Sequence, residues 1–397
     1  MKRIAFSGTL DPITNGHMWV IGEARALADE VTIFLSENNL KKPQFPAEER
    51  KRIIELSAAE RGWTNVKVLI VKSDYTARVA KKYGIDYLIR GIRTTSDFDY
   101  ENLIQQTNVD VLHGAKTIFV MPPRDLGSVS SSFVRTLQGP VGWHWNTKKF
   151  IPGPAYRAWI IDWLRKEWSL LWCKDEQDSE NGTNLPTMAE LWFARLTGPT
   201  AYGGPERHYH NLDHLVHGLS EIKAWAARTD PAAADVDLVK KAYWFHDAVY
   251  GKSGGALEGA VSDEEASAQL WLASGLDTEF DDIQACAMLI RATDHFQEQG
   301  IEHPLKHVLL GVDLAILGQD EEIYDAYAAA IGLEYGHVPD EEYRTKRRGA
   351  LEHLCAKAEA GTLYGDAYFA ERYGEDALAN MRREITTLRT TPSAAPG

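Results

Sequence analysis

Cysteine is scarce in this chain of 397 residues: Cys173, Cys286 and Cys355 are the only three, and they lie far apart. An odd count at such spacing suggests no disulfide framework and no CxxC zinc site, and it fits a reducing compartment. Long apolar runs are missing too. None reaches the ~18 residues needed to span a bilayer, so no membrane partner is expected. The opening MKRIAFSGTLDP has too short an apolar part and no small-residue cleavage site. It does not read as a signal peptide, and a cytoplasmic location is expected. Positive charge is the minority sign. A net charge of −14 argues against a broad surface for nucleic acid, while a local basic pocket for phosphates stays open. Internal repeats are absent, and strand signals vanish from the second half.

What is present suits two globular domains. Apolar residues make up 44% and charged residues 25%, an ordinary balance for a folded chain. The length exceeds what one core usually supports. Short runs rich in Val, Ile or Phe occur at 3–7, 30–36, 66–71, 87–90 and 117–121, with amphipathic stretches such as 47–60 and 75–82 between them. This alternation predicts an α/β domain, a doubly wound parallel five-stranded sheet of Rossmann-like type. An aromatic-rich helix at 155–172 closes it, for a domain of 1–172. Residues 173–186 are polar and turn-rich and read as a linker. Helical patterns then recur at 238–245, 264–273, 281–291, 321–331 and 340–360, so an all-α domain is expected over 187–390, with a disordered tail at 391–397.

Four segments of the first half carry phosphate chemistry. Residues 7–17 read SGTLDPITNGH and join the first strand to a helix. Exposed N–H groups at that helix start suit an anion, Gly16 permits close backbone approach, and His17 can donate to a phosphate oxygen. Alone, a Gly-His pair describes any capped helix. Lys41 and Lys42 follow the second strand, Arg90 and Arg93 the fourth, and SVSSSFVR at 128–135 the fifth. Loops after parallel strands converge on one crevice, so these distant groups are expected to meet.

As a set, these residues resemble phosphopantetheine adenylyltransferase, of the TxGH nucleotidyltransferases. The resemblance covers about residues 1–165 and is carried by Gly8 to His17, Lys42, Arg90 and Arg93, Asp97–Phe98 with Tyr100–Glu101, Ser130 to Ser132 with Val134–Arg135, and Phe150 to Pro152. It implies in-line attack of an acceptor phosphate on the α-phosphorus of ATP, with Mg²⁺ and release of pyrophosphate. Catalysis is then positioning and charge neutralisation by His17, Lys42 and Arg93. Thr9 and Lys42 would hold the acceptor phosphate; Gly16, Arg90, Glu101 and Ser130, Ser131 and Ser132 would hold the nucleotide. Asn108 lies where the family lines the pantetheine arm. Departures at Leu10, Thr107 and Val109 leave the acceptor open between 4′-phosphopantetheine and another phosphate such as nicotinamide mononucleotide. A homo-oligomer is implied by the same resemblance.

The second half holds RHYHNLDHLVH at 207–217, AYWFHDAVYG at 242–251 and VDLAIL at 312–317. His210 and His214, four apart, are expected on one helix face. His246, Asp247 and Asp313 sit in apolar runs where an ionised group needs a partner or a metal. The pattern resembles the HD superfamily of metal-dependent phosphohydrolases, over about 187–390. It implies His214, His246, Asp247 and Asp313 as ligands of a divalent cation such as Mn²⁺, Fe²⁺, Ni²⁺, Zn²⁺ or Mg²⁺, and His210 as general acid. The substrate would be a nucleotide or a small phosphate ester. Arg207 is a candidate for holding phosphate, Glu264 and Glu265 for contacting metal-bound water. His295, in ATDHF at 292–296, is either a second-metal or phosphate group or a surface histidine. A regulatory nucleotide-binding module is the alternative for this half.

Overall fold

The computed structural model describes residues 1–37, 42–72, 74–111, 114–172, 187–251, 262–295 and 300–390, the side chains of 110 and 111 excepted. Lys41, Cys173, Phe296, the expected linker at 173–186 and the tail at 391–397 lie outside them. Two compact units are present, Met1–Ile160 and Ile161–Gly397.

The first unit runs β1 (Arg3–Gly8), α1 (Asn15–Leu27), β2 (Glu30–Glu37), α2 (Ala47–Glu60), β3 (Val66–Lys72), α3 (Thr76–Lys82), β4 (Tyr87–Gly91), α4 (Thr95–Gln106), a π turn (Thr107–Val111), β5 (Lys116–Val120), α5 (Ser131–Leu137), α6 (Trp143–Lys148) and the start of α7 (Gly153–Trp172). The five strands pair in parallel in the order β3-β2-β1-β4-β5. Ile4, Ala5 and Phe6 of β1 and Ile33, Phe34 and Leu35 of β2 are buried, as strands covered on both faces must be. Chain direction across the sheet reverses between β1 and β4, and that switch point opens a crevice beyond their C-terminal ends.

The second unit takes the rest of α7, then α8 (Met188–Leu196), α9 (Leu212–Thr229), α10 (Ala233–Phe245), α11 (Asp263–Leu272), α12 (Phe280–Arg291), α13 (Lys306–Leu314), α14 (Glu321–Glu334), α15 (Asp340–Glu359) and α16 (Ala367–Thr390). Among its described residues there is no strand. Residues 161–172, expected with the first domain, belong here because their aromatic face packs here. Trp168 meets Trp244 edge-on at 4.9 Å, and Glu167, 4% exposed, takes Lys223 at 2.6 Å and Lys240 at 3.1 Å. Burial of that carboxylate needs both partners.

Candidate functional site

In the first unit a cavity of about 630 Å³ opens at the ends of β1 and β4. Thr9, His17, Lys42, Arg90, Arg93 and Ser130 border it, joined by Gly16, Glu101, Ser131 and Ser132. These groups come from four separate strand-to-helix connections, with Glu101 added from α4. Asn108 is not brought there: it is 9% exposed, and its carbonyl accepts the Gly114 N–H at 2.8 Å.

The TxGH segment has a structural explanation. Thr14 caps α1, its hydroxyl accepting the His17 N–H, while His17 Nδ1 accepts the Thr14 N–H at 3.0 Å. This is a capping box with histidine in the place usually taken by Glu or Gln. Because Nδ1 accepts a backbone proton, the neutral ring carries its own proton on Nε2. Burial and the positive charges of Arg93 and Arg90 push the His17 pKa down to about 4. His17 is therefore a neutral ring at neutral pH, able to donate from Nε2. Gly16, which borders the cavity, also has a packing role. A Cβ there would stand 3.1 Å from the Val129 carbonyl, so its small size lets α1 approach the 126–129 turn.

The cations are held in place. Arg90 Nε donates to Glu101 at 2.9 Å and its Nη1 to the Ser7 carbonyl. Glu101 thus acts by fixing Arg90. Arg93 Nε donates to Asp97 at 3.1 Å. The serines are engaged as well: Ser130 caps α5, Ser131 donates to the Pro12 carbonyl at 2.8 Å, and Ser132 accepts from Arg135 at 3.2 Å.

Two buried residues that sequence reasoning passed over organise this loop system. Asp11, 3% exposed, accepts the N–H groups of Gln44 at 2.7 Å and Phe45 at 3.2 Å. Arg50, 2% exposed, donates to the carbonyls of Phe45, Thr9 and Ser36. Its signal was in the pattern. Arg50, Ile53, Ile54 and Ser57 share the buried face of α2, where an arginine must find acceptors.

In the second unit His214, His246, Asp247 and Asp313 each offer one atom within 4.8 Å of all the others. His246 Nε2 lies 3.1 Å from His214 Nε2, 3.1 Å from Asp247 Oδ2 and 3.4 Å from Asp313 Oδ1. His246 Nδ1 donates to the Tyr243 carbonyl at 2.7 Å, so in a neutral ring its Nε2 lone pair faces two carboxylates. Those carboxylates push the His246 pKa well up against the opposing effect of burial, and the Asp313 carboxyl is held far below its usual range by His246 and His295 despite burial. The cluster calls for a positive charge at its centre, and a divalent cation fits the two nitrogen and two oxygen donors. Gly218 helps to shape it. A Cβ there would overlap the Tyr243 ring at 2.0 Å, and the Tyr243 hydroxyl donates to the His214 carbonyl at 3.0 Å.

His210 is not on the helix with His214, as its spacing suggested. Asn211 caps α9 by accepting the Asp213 N–H at 2.8 Å, and His210 stands in the turn before it. There His210 Nδ1 meets Glu334 Oε2 at 2.7 Å, while Glu334 Oε1 accepts the N–H groups of Tyr209 at 2.8 Å and His210 at 2.9 Å. Burial opposes ionisation of Glu334, but His210 and the two N–H groups hold its pKa below the usual value. His210 Nε2 lies 3.9 Å from Asp247 Oδ2, beside the cluster. Glu334 carried no sequence signal, standing 124 residues from His210 at the end of α14.

Other candidates are reassigned. Arg207 does not hold a phosphate: it is 6% exposed and spent on the carbonyls of His210, Asp247 and Ala248. Glu265 is bound through both oxygens to Arg291. Glu264 is half-buried, and desolvation raises its pKa. His295 belongs to the site rather than the surface, with Nε2 2.7 Å from Asp313 Oδ2.

Comparison with known proteins bears on the first unit. Residues 5–137 match the cytidylyltransferase-like family. Phosphopantetheine adenylyltransferase of Chromobacterium violaceum is 36% identical over 160 residues, spanning 40% of this chain and 96% of that protein. The Histophilus somni (strain 129Pt) enzyme of the same name is 36% identical over 161 residues, 40% of this chain and 96% of its own length. That of Neisseria meningitidis serogroup C is 30% identical over 161 residues, 41% of this chain and 94% of its own. Nearly the whole length of these relatives is thus matched by two-fifths of the chain, and through that part the chain belongs to the phosphopantetheine adenylyltransferase family.

Proposed function

We propose that the chain is a bifunctional enzyme. Its first unit transfers the adenylyl group of ATP to 4′-phosphopantetheine, giving dephospho-CoA and pyrophosphate. An acceptor phosphate oxygen bonds to the α-phosphorus, the α–β bridging bond breaks, and pyrophosphate leaves. No nucleophile from the protein is required. Lys42 and Arg93 offset charge on the phosphates, and His17 donates from Nε2. Thr9 orients the acceptor, Arg90 and the Ser130–Ser132 turn orient the nucleotide, and Mg²⁺ accompanies ATP. The reading is supported chiefly by the meeting of His17, Lys42, Arg90 and Arg93 around one cavity. Pyrophosphate release from ATP tests it across an acceptor panel. 4′-Phosphopantetheine is the expected acceptor, and turnover with nicotinamide mononucleotide alone would replace it. Phe98, Tyr100 and Leu103 of α4 are exposed, which suits burial in a homo-oligomer. Light scattering showing a monomer would refute that assembly.

The second unit is proposed to be an HD-type phosphohydrolase. His214, His246, Asp247 and Asp313 would hold a divalent cation, which supplies Lewis acidity toward a phosphoryl group and its attacking water. His210, oriented by Glu334, delivers the proton that the leaving oxygen takes. The four converging donor atoms carry this reading. Metal analysis of the purified full chain, with phosphate release from phosphate esters, tests it. A chain that binds no divalent cation would point to a non-hydrolytic module.

A further inference from the structure

Beside the His/Asp cluster lies a second cavity, of about 360 Å³, whose walls are unlike those of the first. We infer that it takes a nucleoside monophosphate, with the base against its tyrosines and the single phosphate at the cluster. This deepens the phosphohydrolase reading and rests on it.

Five tyrosines border the cavity: Tyr209, Tyr250, Tyr327, Tyr335 and Tyr343. Leu314, Ile331 and Leu354 fill between them. Its cluster end is marked by His210, His295 and Asp313. Aromatic rings give a flat ligand large contact area at small entropic cost, and any base has a π face to offer. An aliphatic ester would leave those faces unused. The size, near the low end of the roughly 300–1,000 Å³ usual for ligand sites, suits one nucleotide rather than two.

Charge limits the phosphate count. Four cationic side chains border the ATP cavity: Lys42, Arg90, Arg93 and Arg135. Among the described residues the tyrosine cavity has two, Lys346 and Arg347, each paired with a carboxylate as Arg90 and Arg93 are in the first. Lys346 pairs with Glu342 at 2.7 Å, and Arg347 is forked onto Glu384 at 2.8 and 3.0 Å. A triphosphate would lack counter-charge here. Polar recognition remains available. The Tyr209 hydroxyl is shielded from solvent and has no hydrogen-bond partner. A hydroxyl left unpaired in this way needs a partner, which a base or ribose oxygen would supply. In the reaction water oxygen bonds to phosphorus and the ester P–O bond breaks. The nucleoside leaves with a proton, and inorganic phosphate is the other product.

The test uses the full chain loaded with Mn²⁺ and uridine monophosphate as probe, since adenine would also enter the first unit. Calorimetry reads binding, and released phosphate reads turnover, against glycerol 3-phosphate and uridine triphosphate. Uridine monophosphate should bind more tightly than either. Tyr327→Leu should raise its Kd by about ten-fold, the scale of one lost base–aromatic contact. Tyr335→Leu, at a ring 39% exposed and so tolerant of change, should weaken binding in the same direction. Glycerol 3-phosphate cleaved as well as the nucleotide, tighter binding of the triphosphate, or unchanged Kd in both variants would overturn the assignment while leaving a hydrolase. Tyrosine-dependent binding without phosphate release would keep the ligand and remove the hydrolase.

Discussion

The two candidate sites are built from opposite materials. In the first unit cations and backbone gather at the ends of parallel strands, and the carboxylates on the cavity wall are taken up by Arg90 (Glu101) and by backbone N–H groups (Asp11). In the second, carboxylates and imidazoles on helices gather around one point, and the walls are tyrosine. The difference follows from the fold. Parallel strands end together, so their loops bring short segments to a common crevice, and a helix start there offers N–H groups. Helices offer no such shared edge, so a site among them is built from buried side chains that must neutralise each other. Removing one member should therefore be costly in the second site, and graded in the first.

The largest effect is expected at Asp247. Its carboxylate lies 3.1 Å from His246 Nε2 and 3.4 Å from His214 Nε2, closer to both than Asp313, whose Oδ1 stands at 3.4 and 3.7 Å. Asp247→Ala should abolish bound divalent cation and phosphate release, a loss beyond the roughly 10–100-fold that removing a supporting residue costs. Adenylyl transfer by the same protein should persist. Loss of both activities together would break the separation of the sites.

His17→Ala should lower kcat for adenylyl transfer by roughly 10²–10³-fold, the scale of one lost transition-state donor. Metal content should stay unchanged. The pH profile sharpens this. With a pKa lowered to about 4, His17 is neutral from pH 5 upward and should add no limb to the transfer profile between pH 5 and 8. Its linkage to stability has a definite sign. The unfolded ring, near pKa 6.5, binds a proton before the folded one does. Stability is therefore full above pH 6.5 and falls as pH drops toward 4. A wild-type limb near pH 6.5 that disappears in His17→Ala would show a charged His17 at work.

Glu334→Gln should come next. The change keeps shape but weakens the anchor of His210 Nδ1. Phosphate release should slow by roughly 10–100-fold with metal retained. A purely structural Glu334 would change melting temperature without moving the pH profile of hydrolysis, whereas a positioning residue should move that profile.

The sheet was legible because buried parallel strands are short runs of Val, Ile and Phe, a signal that survives without context. The span 47–60 was readable for a similar reason. Pro46 precedes it, Glu48 and Glu49 occupy its first turn, and Gly62 takes φ 68° just beyond. The four-residue cluster was legible through the HD resemblance, with the cost of a carboxylate in an apolar helix as the physical argument beside it. What stayed hidden depended on tertiary partners. The spacing of His210 and His214 suits a helix, but Asn211 stops it between them. Arg207 looks like a phosphate ligand until its carbonyl acceptors are known. Glu334 is only the last residue of a helix with an apolar middle until the chain folds.

The smallest effect is expected at Asn108, and it tests how far family likeness reaches into this chain. The resemblance implies a role on the pantetheine arm, yet Thr107 and Val109 already depart from the family pattern on either side. Asn108 does not border the cavity, and its carbonyl is used to close the turn onto Gly114. Gly114 itself packs so closely that a Cβ would meet Ala77 at 2.6 Å, which fixes the π turn against α3. A side chain that does not border the cavity contributes little to the reacting groups. Asn108→Ala should change kcat/KM for ATP and for 4′-phosphopantetheine by no more than about two-fold, a barrier change of about 0.4 kcal/mol. A ten-fold rise in KM for the acceptor alone would show that the π turn opens when the acceptor binds, and that Asn108 then keeps the contact its family position implies.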